Sequence, residues 1–329
     1  GSNLIEQLLV LNQRVVCLDN FSTGYSTNIE KAISDASQKV EQDRSSLLNI
    51  IEGDITKIED CNRSMFWNKN NNSLRCKVDI ISHQAALGSV PRSIEDPIST
   101  NKSNVNGFLN ILISAKNNDI KKVIYASSSS VYGDNYSLPK KEDEIGNPLS
   151  PYAVTKLLNE KYANVFSLNY EMDLIGLRYF NVFGKRQDPE GDYAAVIPKW
   201  INSILKSENI FVNGDGTISR DFCYIDNVVQ MNLLSAMTKN KNALNKVYNV
   251  AFNKSNSLNE LLNVIQDYLI KENIKIKQVT PIYREERQGD IKHSLADISK
   301  ARKLIGYKPQ YDFKVGIEKT INYFLNINK

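Results

Sequence analysis

Histidine is nearly absent from this chain, with two residues in 329. Cysteine is sparse too: Cys17, Cys61, Cys76 and Cys223 are scattered, and none forms a Cys-x-x-Cys pair. Zinc sites are built from clustered cysteine and histidine, so no metal centre is expected. Isolated thiols suit a reducing compartment better than a disulfide-stapled one, and a cytoplasmic location is expected. No apolar run approaches the ~20 residues needed to cross a bilayer. The opening, Gly1-Ser2-Asn3-Leu4-Ile5, has no basic segment, no long apolar run and no cleavage pattern, so it does not read as a secretion signal. Neither sign of charge dominates. The 41 Lys and Arg stand against 37 Asp and Glu, a net +4, and the signs are interspersed, as in Lys140-Lys141-Glu142-Asp143-Glu144. That is a solvated mixed surface, so neither a nucleic-acid nor a membrane partner is expected. No internal repeat is present.

What the chain does have is an ordinary globular composition, 41% hydrophobic and 24% charged, over a length that suits one large or two ordinary domains. Leu4, Ile5, Leu8 and Leu9 recur at helical spacing behind Ser2 and Asn3. A short apolar run, Arg14 to Asp19, follows and ends in an acid. Similar runs lie at Leu48 to Ile51, Val78 to Ser82, Val123 to Ala126 and Leu174 to Leu177. Helix-length segments separate most of them, such as Val105 to Lys116 and Ala153 to Tyr170. Continuously apolar strands alternating with helices predict a parallel sheet covered on both faces, a doubly wound α/β domain. The polar stretch Asn68 to Ser73 reads as an inserted surface loop. After about Asn181 the pattern loosens into a smaller, mixed α/β region. There Ser257-Leu258-Asn259-Glu260 is a capping-box sequence that should open a helix through Leu269.

Chemistry concentrates in two places. In Tyr152-Ala153-Val154-Thr155-Lys156 the tyrosine and lysine are four apart and share a helical face. A phenol loses its proton near pH 10, and a fixed ammonium nearby favours the phenolate, making it a usable base. Upstream, Tyr125-Ala126-Ser127-Ser128-Ser129-Ser130-Val131-Tyr132-Gly133-Asp134 reads as a strand ending in hydroxyls. In a doubly wound sheet the carboxyl ends of strands line the binding crevice, so a serine there can hydrogen-bond a substrate hydroxyl beside the tyrosine.

These stretches, with Arg178-Tyr179-Phe180-Asn181-Val182-Phe183-Gly184, resemble the extended short-chain dehydrogenase/reductases, the NAD-dependent epimerase/dehydratase family acting on nucleotide sugars. The resemblance runs over essentially the whole chain. It implies a Rossmann-like fold with NAD as cofactor, and it places the catalytic serine, tyrosine and lysine on Ser128, Tyr152 and Lys156. On the cofactor side it implies Asp19, Asn20, Ser22, Thr23 and Gly24 at the adenine ribose, where an acid disfavours the extra phosphate of NADP. Asp54 and Ile55 fall at the adenine. Gln84, Ala85 and Ala86, after His83, fall beneath the pyrophosphate and nicotinamide ribose. Asn104, Tyr152, Lys156 and Tyr179 complete the set, and His83 is expected to pack rather than react. Gly1 resembles the last glycine of a dinucleotide loop, which cradles pyrophosphate at a helix amino end. The first strand and the earlier glycines are not among these residues; alternatively, Gly1-Ser2 imitates the motif. In either case a central strand is missing, and the chain as written is expected to bind NAD poorly or to fold marginally. Residues 1–180 are expected to form the NAD-binding domain. Residues 181–329 are expected to form the UDP-sugar domain, with some segments returning to the first.

For the sugar nucleotide the resemblance implies Gly88, Ser89, Ser128, Ser129, Ser130, Asn181, Ala195, Val196, Val212, Asn213, Arg220, Arg287, Asp290 and Ser294. Arginine forks suit a diphosphate. A dehydratase would carry Asp-Glu where Ser129-Ser130 stand, which favours simple epimerisation. Leu87 to Ser93 resembles the epimerases of N-acetylated UDP-hexosamines. Ser294 stands where enzymes confined to UDP-glucose and UDP-galactose carry a bulky tyrosine, so a small residue leaves room for an acetamido group. UDP-N-acetylglucosamine and UDP-N-acetylgalactosamine are the expected pair. UDP-glucose and UDP-galactose, the uronic acids (through Arg92) and a noncatalytic dinucleotide binder stay open. The resemblance also implies a homodimer through two helices per subunit, and precursor supply for surface polysaccharide.

Overall fold

The computed structural model describes residues 1–68, 75–191, 194–272, 274, 279–285 and 292–327. Helix α1 (Ser2–Val10) buries Ile5 and Leu9, four apart on one face. Strand β1 (Val15–Asp19), helix α2 (Ser26–Val40) and strand β2 (Leu48–Glu52) follow. β1 and β2 pair in parallel, from Val15 with Leu48 to Asp19 with Glu52. Ile5, Leu9, Val15, Ala32 and Ala36 make a small core between them.

Helix α3 (Ile58–Ser64) leads into a hairpin of β3 (Phe66–Asn68) and β4 (Arg75–Lys77), paired antiparallel. The expected surface loop therefore starts inside a strand at Asn68; residues 69–74 lie outside the described residues. The hairpin is held by aromatic residues rather than by alternation. Trp67 donates its indole N–H to the Leu47 carbonyl at 3.1 Å. The Arg75 guanidinium lies 3.7 Å from the centre of the Phe66 ring, a favourable stack.

Next come β5 (Ile80–His83), α4 (Val90–Glu95), α5 (Pro97–Asn101), a π-helical turn (Lys102–Asn106), α6 (Gly107–Asn117) and β6 (Lys122–Ser128). A 3-10 turn (Ser129–Tyr132), α7 (Pro151–Tyr170) and β7 (Asp173–Tyr179) follow. β5 starts two residues later than the apolar run suggests, because Val78 donates its N–H to Met65 O at 3.1 Å and closes the hairpin. α7 starts where its sequence says it should: Ser150 accepts the Ala153 N–H and Pro151 takes the first turn, where a missing N–H costs nothing.

The remaining elements are β8 (Val182–Phe183), α8 (Val196–Leu205), β9 (Phe211–Asn213), β10 (Ser219–Asp221), β11 (Cys223–Tyr224), α9 (Ile225–Met237), β12 (Lys246–Val250), β13 (Ser255–Ser257), α10 (Leu258–Lys271), β14 (Ile282–Arg284), α11 (Ser299–Ile305) and α12 (Phe313–Ile327). The capping box forms: Ser257 Oγ accepts the Glu260 N–H at 3.1 Å while Glu260 Oε2 accepts the Ser257 N–H at 2.7 Å.

The chain divides into two compact units. One holds Gly1–Asp134, Gly146–Arg178 and Met231–Tyr248; the other holds Asn135–Ile145, Tyr179–Gln230 and Asn249–Lys329. The first is a doubly wound, Rossmann-like α/β unit. Its main sheet runs β12-β7-β6-β5, with β5 and β6 parallel. Val123 to Ala126 and Leu174 to Leu177 are buried throughout, as strands covered on both faces must be. Cys61, Met65, Phe108, Leu112, Tyr125 and Phe166 are among the residues of its core. The β1–β2 pair is a separate sheet: among the described residues no strand pairs with both β1 and β5. The second unit has short pairs, parallel β8–β11 and β9–β14 and antiparallel β10–β13. Its core includes Phe183, Trp200, Ile201, Phe222, Leu261 and Phe313.

Candidate active site

β6 delivers Ser128 at its carboxyl end with extended backbone, and Ser128 Oγ accepts the Ser130 N–H at 3.1 Å. Tyr152 stands in the first turn of α7 with Lys156 one turn on. The Ser128 hydroxyl lies close enough to the Tyr152 phenol to act on its proton affinity. Burial pushes the Tyr152 phenol above its ordinary value, and the Ser128 hydroxyl opposes that rise. Burial also pushes Lys156 down to about 8. Its ammonium donates to Ala126 O at 2.9 Å and lies 5.9 Å from the centre of the Tyr152 ring. Burial is the largest influence on both groups, since it disfavours the charged form.

His83 is 5% exposed and stacks on Phe108 at 5.3 Å. Burial, and then the nearby Lys156 charge, push it down to about 3. A packed imidazole that burial keeps neutral suits a structural role. Asn104, expected at the cofactor, is fully buried in the π-helical turn. Its Nδ2 donates to Leu87 O and Thr155 Oγ1, both at 3.1 Å, and its Oδ1 accepts the Leu87 N–H at 2.8 Å. Both N–H donors and one of the two acceptor sites of the carboxamide thus tie the Leu87 loop to α7.

The other cofactor candidates collect at strand ends. Asp19 closes β1 and accepts the Phe21 N–H at 2.9 Å. Asn20 Oδ1 accepts the Ser22 N–H at 3.1 Å, and its Nδ2 donates to Asp54 Oδ2 at 3.2 Å. A Cβ on Gly24 would lie 3.9 Å from the Asp19 carboxylate; Thr23 is in the same loop. Burial would raise Asp54, yet hydrogen bonds from Thr56 and Asn20 hold it below the usual carboxylate range. Ile55 is buried and its carbonyl accepts from Asn110 Nδ2 at 2.9 Å. Gln84 donates to Ser82 Oγ at 2.9 Å and Asn232 Oδ1 at 3.0 Å, with Ala85 and Ala86 following. Gly1 stands at the amino end of α1 with no side-chain cap, and a Cβ there would meet nothing within 4 Å. An acid at a strand end and a buried Tyr-Lys pair fit a dinucleotide. Ser89 Oγ caps α4 by accepting the Arg92 N–H at 3.2 Å, next to the exposed Gly88.

The second unit carries the other candidates. Tyr179 ends β7. Asn181, at φ 35°, donates from Nδ2 to Asp221 O at 3.3 Å. Ala195 and Val196 open α8; Val212 is buried in β9, and Asn213 ends it. Arg220 donates to Ser219 O at 3.0 Å and Lys292 O at 3.2 Å. Ser294 is 9% exposed, and its N–H donates to Ser219 O at 3.1 Å. Arg287 and Asp290 lie outside the described residues.

Asp221 anchors this group. Fully buried, it accepts N–H bonds from Phe252 at 3.0 Å, Asn253 at 3.1 Å and Ala296 at 3.2 Å. Burial outweighs those bonds and pushes its carboxyl up to about 6. A raised acid binds more protons folded than unfolded, so its contribution to stability falls as pH rises from about 4 to about 6. Asp221→Asn, which cannot ionise, is expected to lose that slope. Urea midpoints compared at pH 4.5 and 7 check this; an unchanged difference between the two pH values would refute it.

Sequence reasoning passed over Ser127, Glu160 and Arg178. Ser127 Oγ donates to Glu160 Oε1 at 2.5 Å. Arg178 donates to both Glu160 oxygens, Nε to Oε1 at 2.9 Å and an Nη to Oε2 at 2.8 Å. The available signal was Glu160 itself, four residues beyond Lys156 on the same helix.

The family model described as the NAD dependent epimerase/dehydratase family matches residues 1–251. A UDP-glucose 4-epimerase of Mycolicibacterium smegmatis is 30% identical over 328 residues, covering 99% of this chain and 95% of that relative. The UDP-N-acetylglucosamine 4-epimerase of Methanobrevibacter ruminantium, solved with UDP-N-acetylmuramic acid, superposes with a TM-score of 0.85 at 38% identity, over 99% of this chain and 95% of that one. The UDP-glucose 4-epimerase of Thermotoga maritima, solved with UDP-glucose, superposes with a TM-score of 0.86 at 29% identity, over 100% of this chain and 96% of that one.

Proposed function

Since this chain belongs to the NAD dependent epimerase/dehydratase family, with NAD as its cofactor, we propose that it is a nucleotide-sugar 4-epimerase specific for UDP-N-acetylglucosamine and UDP-N-acetylgalactosamine. The observation that carries the substrate is Ser294: a small side chain, set by its backbone bond to Ser219, at the position the resemblance gives to the sugar gate. The 38% identity to a UDP-N-acetylglucosamine 4-epimerase supports the same reading.

In this reading the first unit holds NAD and the second holds the UDP-sugar. When bound, NAD supplies reversible hydride chemistry at the sugar C4. Tyr152 removes the O4 proton, directly or through Ser128, and returns it after the 4-keto sugar has turned over. Lys156 holds its charge beside the phenol and the nicotinamide ribose. Arg220, with Arg287, grips the diphosphate and lets the hexose rotate about that anchor; Asp290 holds the uridine ribose. Ser129 and Ser130 offer hydroxyls to the sugar but no acid to expel one.

Incubation with UDP-N-acetylglucosamine, UDP-glucose and UDP-glucuronic acid separately, with products resolved by chromatography, tests the proposal. Conversion of UDP-glucose alone would refute the substrate. Turnover of the uronic acid alone would shift recognition to Arg92, and no turnover would point to a noncatalytic binder. Ser294→Tyr is expected to lower kcat/KM for the acetylated sugar about a hundredfold while sparing UDP-glucose. Equal losses on both sugars would refute the gate.

A homodimer belongs to the same proposal. Val154, Leu158, Val165 and Leu168 on α7 are 44%, 37%, 49% and 74% exposed, and Ile113 on α6 is 38% exposed. Spacings of four, seven and three put the α7 residues on one stripe, a surface that a second copy would cover. Light scattering is expected to give twice the chain mass, and a stable monomer would refute it.

A further inference from the structure

Three consecutive residues at the end of β6 each meet a different turn of α7. The Ala126 carbonyl accepts from Lys156 Nζ at 2.9 Å. Ser127 Oγ donates to Glu160 Oε1 at 2.5 Å. Ser128 lies beside Tyr152 and favours the ionised form of its phenol. The helix partners are residues 152, 156 and 160, at four-residue spacing, so one helical face meets one strand end rung by rung.

The rung at Glu160 is braced by an ion pair. Glu160 and Arg178 are almost wholly buried, with side chains 8% and 3% exposed. Arg178 comes from the neighbouring strand β7 and grips both carboxylate oxygens, the geometry that fixes direction as well as distance. The same guanidinium lies 4.9 Å from the centre of the Tyr132 ring and hydrogen-bonds the Tyr132 hydroxyl. Tyr132 closes the 3-10 turn that carries Ser129 and Ser130. The pair thus holds the chain on both sides of Ser128: at Ser127 directly before it, and at Tyr132 after the turn.

We propose that Glu160, oriented by Arg178 and bound to Ser127, is a positioning residue that sets where the Ser128 and Tyr152 hydroxyls meet. The inference rests on the reading of Ser128, Tyr152 and Lys156 as the catalytic group. A buried ion pair is weak as a source of stability, because desolvation offsets attraction. Its effect is geometric: Ser127 is held to Glu160, which restrains the backbone that carries Ser128. Misplacement of reacting groups by about 1 Å can cost on the order of a hundredfold in rate.

The test uses the full-length protein with NAD bound. Ser127→Ala removes one hydroxyl and leaves the Glu160–Arg178 pair whole. It is expected to lower kcat about tenfold or more with KM unchanged, and to raise the titration midpoint of Tyr152. That midpoint is read by NMR of ring-labelled tyrosine, with the Tyr152 signal assigned by its loss in Tyr152→Phe. The double variant Glu160→Gln with Arg178→Met removes both charges together, so neither is left buried alone. It is expected to fold and to turn over slowly. A Ser127→Ala protein with the parent's kcat and the parent's Tyr152 midpoint overturns the proposal, as does a folded double variant with the parent's kcat. A Tyr152→Phe protein that keeps more than about a tenth of the parent's kcat overturns the catalytic reading itself, and so identifies which of the two has failed.

Discussion

Tyr152→Phe is expected to lower kcat about 10²–10⁴-fold while the folded state and KM for the UDP-sugar stay near those of the parent. The substitution keeps the ring and removes one oxygen. Lys156 keeps its bond to the Ala126 carbonyl, and α7 keeps its Ser150 cap and Pro151 start. What is lost is the group that moves a proton. The pH dependence sharpens the test. Burial raises the Tyr152 phenol, so the basic form is scarce at neutral pH and grows with pH; the parent's kcat should therefore climb between pH 6 and 8. The residual rate of the variant should be flat across that range. A variant with more than about a tenth of the parent's kcat would remove Tyr152 from the chemistry.

The second large effect is on folding. Gly133 has φ 50° and ψ −127°, a region that essentially only glycine occupies. A Cβ there would lie 1.7 Å from the Asn147 carbonyl oxygen and 2.4 Å from its carbon. The backbone cannot step aside, because the segment is stitched on both sides. The Gly146 N–H donates to Tyr132 O at 3.1 Å, and the Asp134 N–H donates to Asn147 O at 3.2 Å. Asp134 Oδ1 in turn accepts the Asn147 N–H at 2.7 Å. Gly133→Ala is expected to destabilise by about 3 kcal/mol or more, from backbone strain plus overpacking. For a domain of this size that is a fall in Tm of roughly 10 °C. A Tm within about 2 °C of the parent would mean that the 132–134 and 146–147 segments part easily.

Strands buried on both faces were legible because their apolar runs are continuous: Val123 to Ala126 and Leu174 to Leu177 stand inside β6 and β7. The capping box at Ser257 was legible because it is a local exchange between residues three apart. The β3–β4 hairpin was not, since its asparagine-rich middle has loop composition and its order comes from Trp67 and Phe66 meeting distant partners. The π-helical turn at Lys102–Asn106 left no periodic signature, and so the pair of hydrogen bonds between Asn104 and the Leu87 backbone could not be foreseen. In the site, Ser128, Tyr152 and Lys156 were readable from their motif. Their proton affinities were not, because desolvation depends on what surrounds them. Glu160 was hidden for a related reason: in Lys156-Leu157-Leu158-Asn159-Glu160-Lys161 a buried acid looks the same as a solvated one until Arg178 arrives from another strand.

β1 and β2 exchange their ladder bonds with each other, and Leu47 and Leu48 pack on the small core of Ile5, Leu9, Val15, Ala32 and Ala36. Single side chains tie this segment to the residues that follow it. Leu18 packs against the cluster around Phe108, Trp67 of the hairpin donates to the Leu47 carbonyl, and Asn20 donates to Asp54. These few joints are the route by which loosening of the hairpin reaches the strand end that carries Asp19.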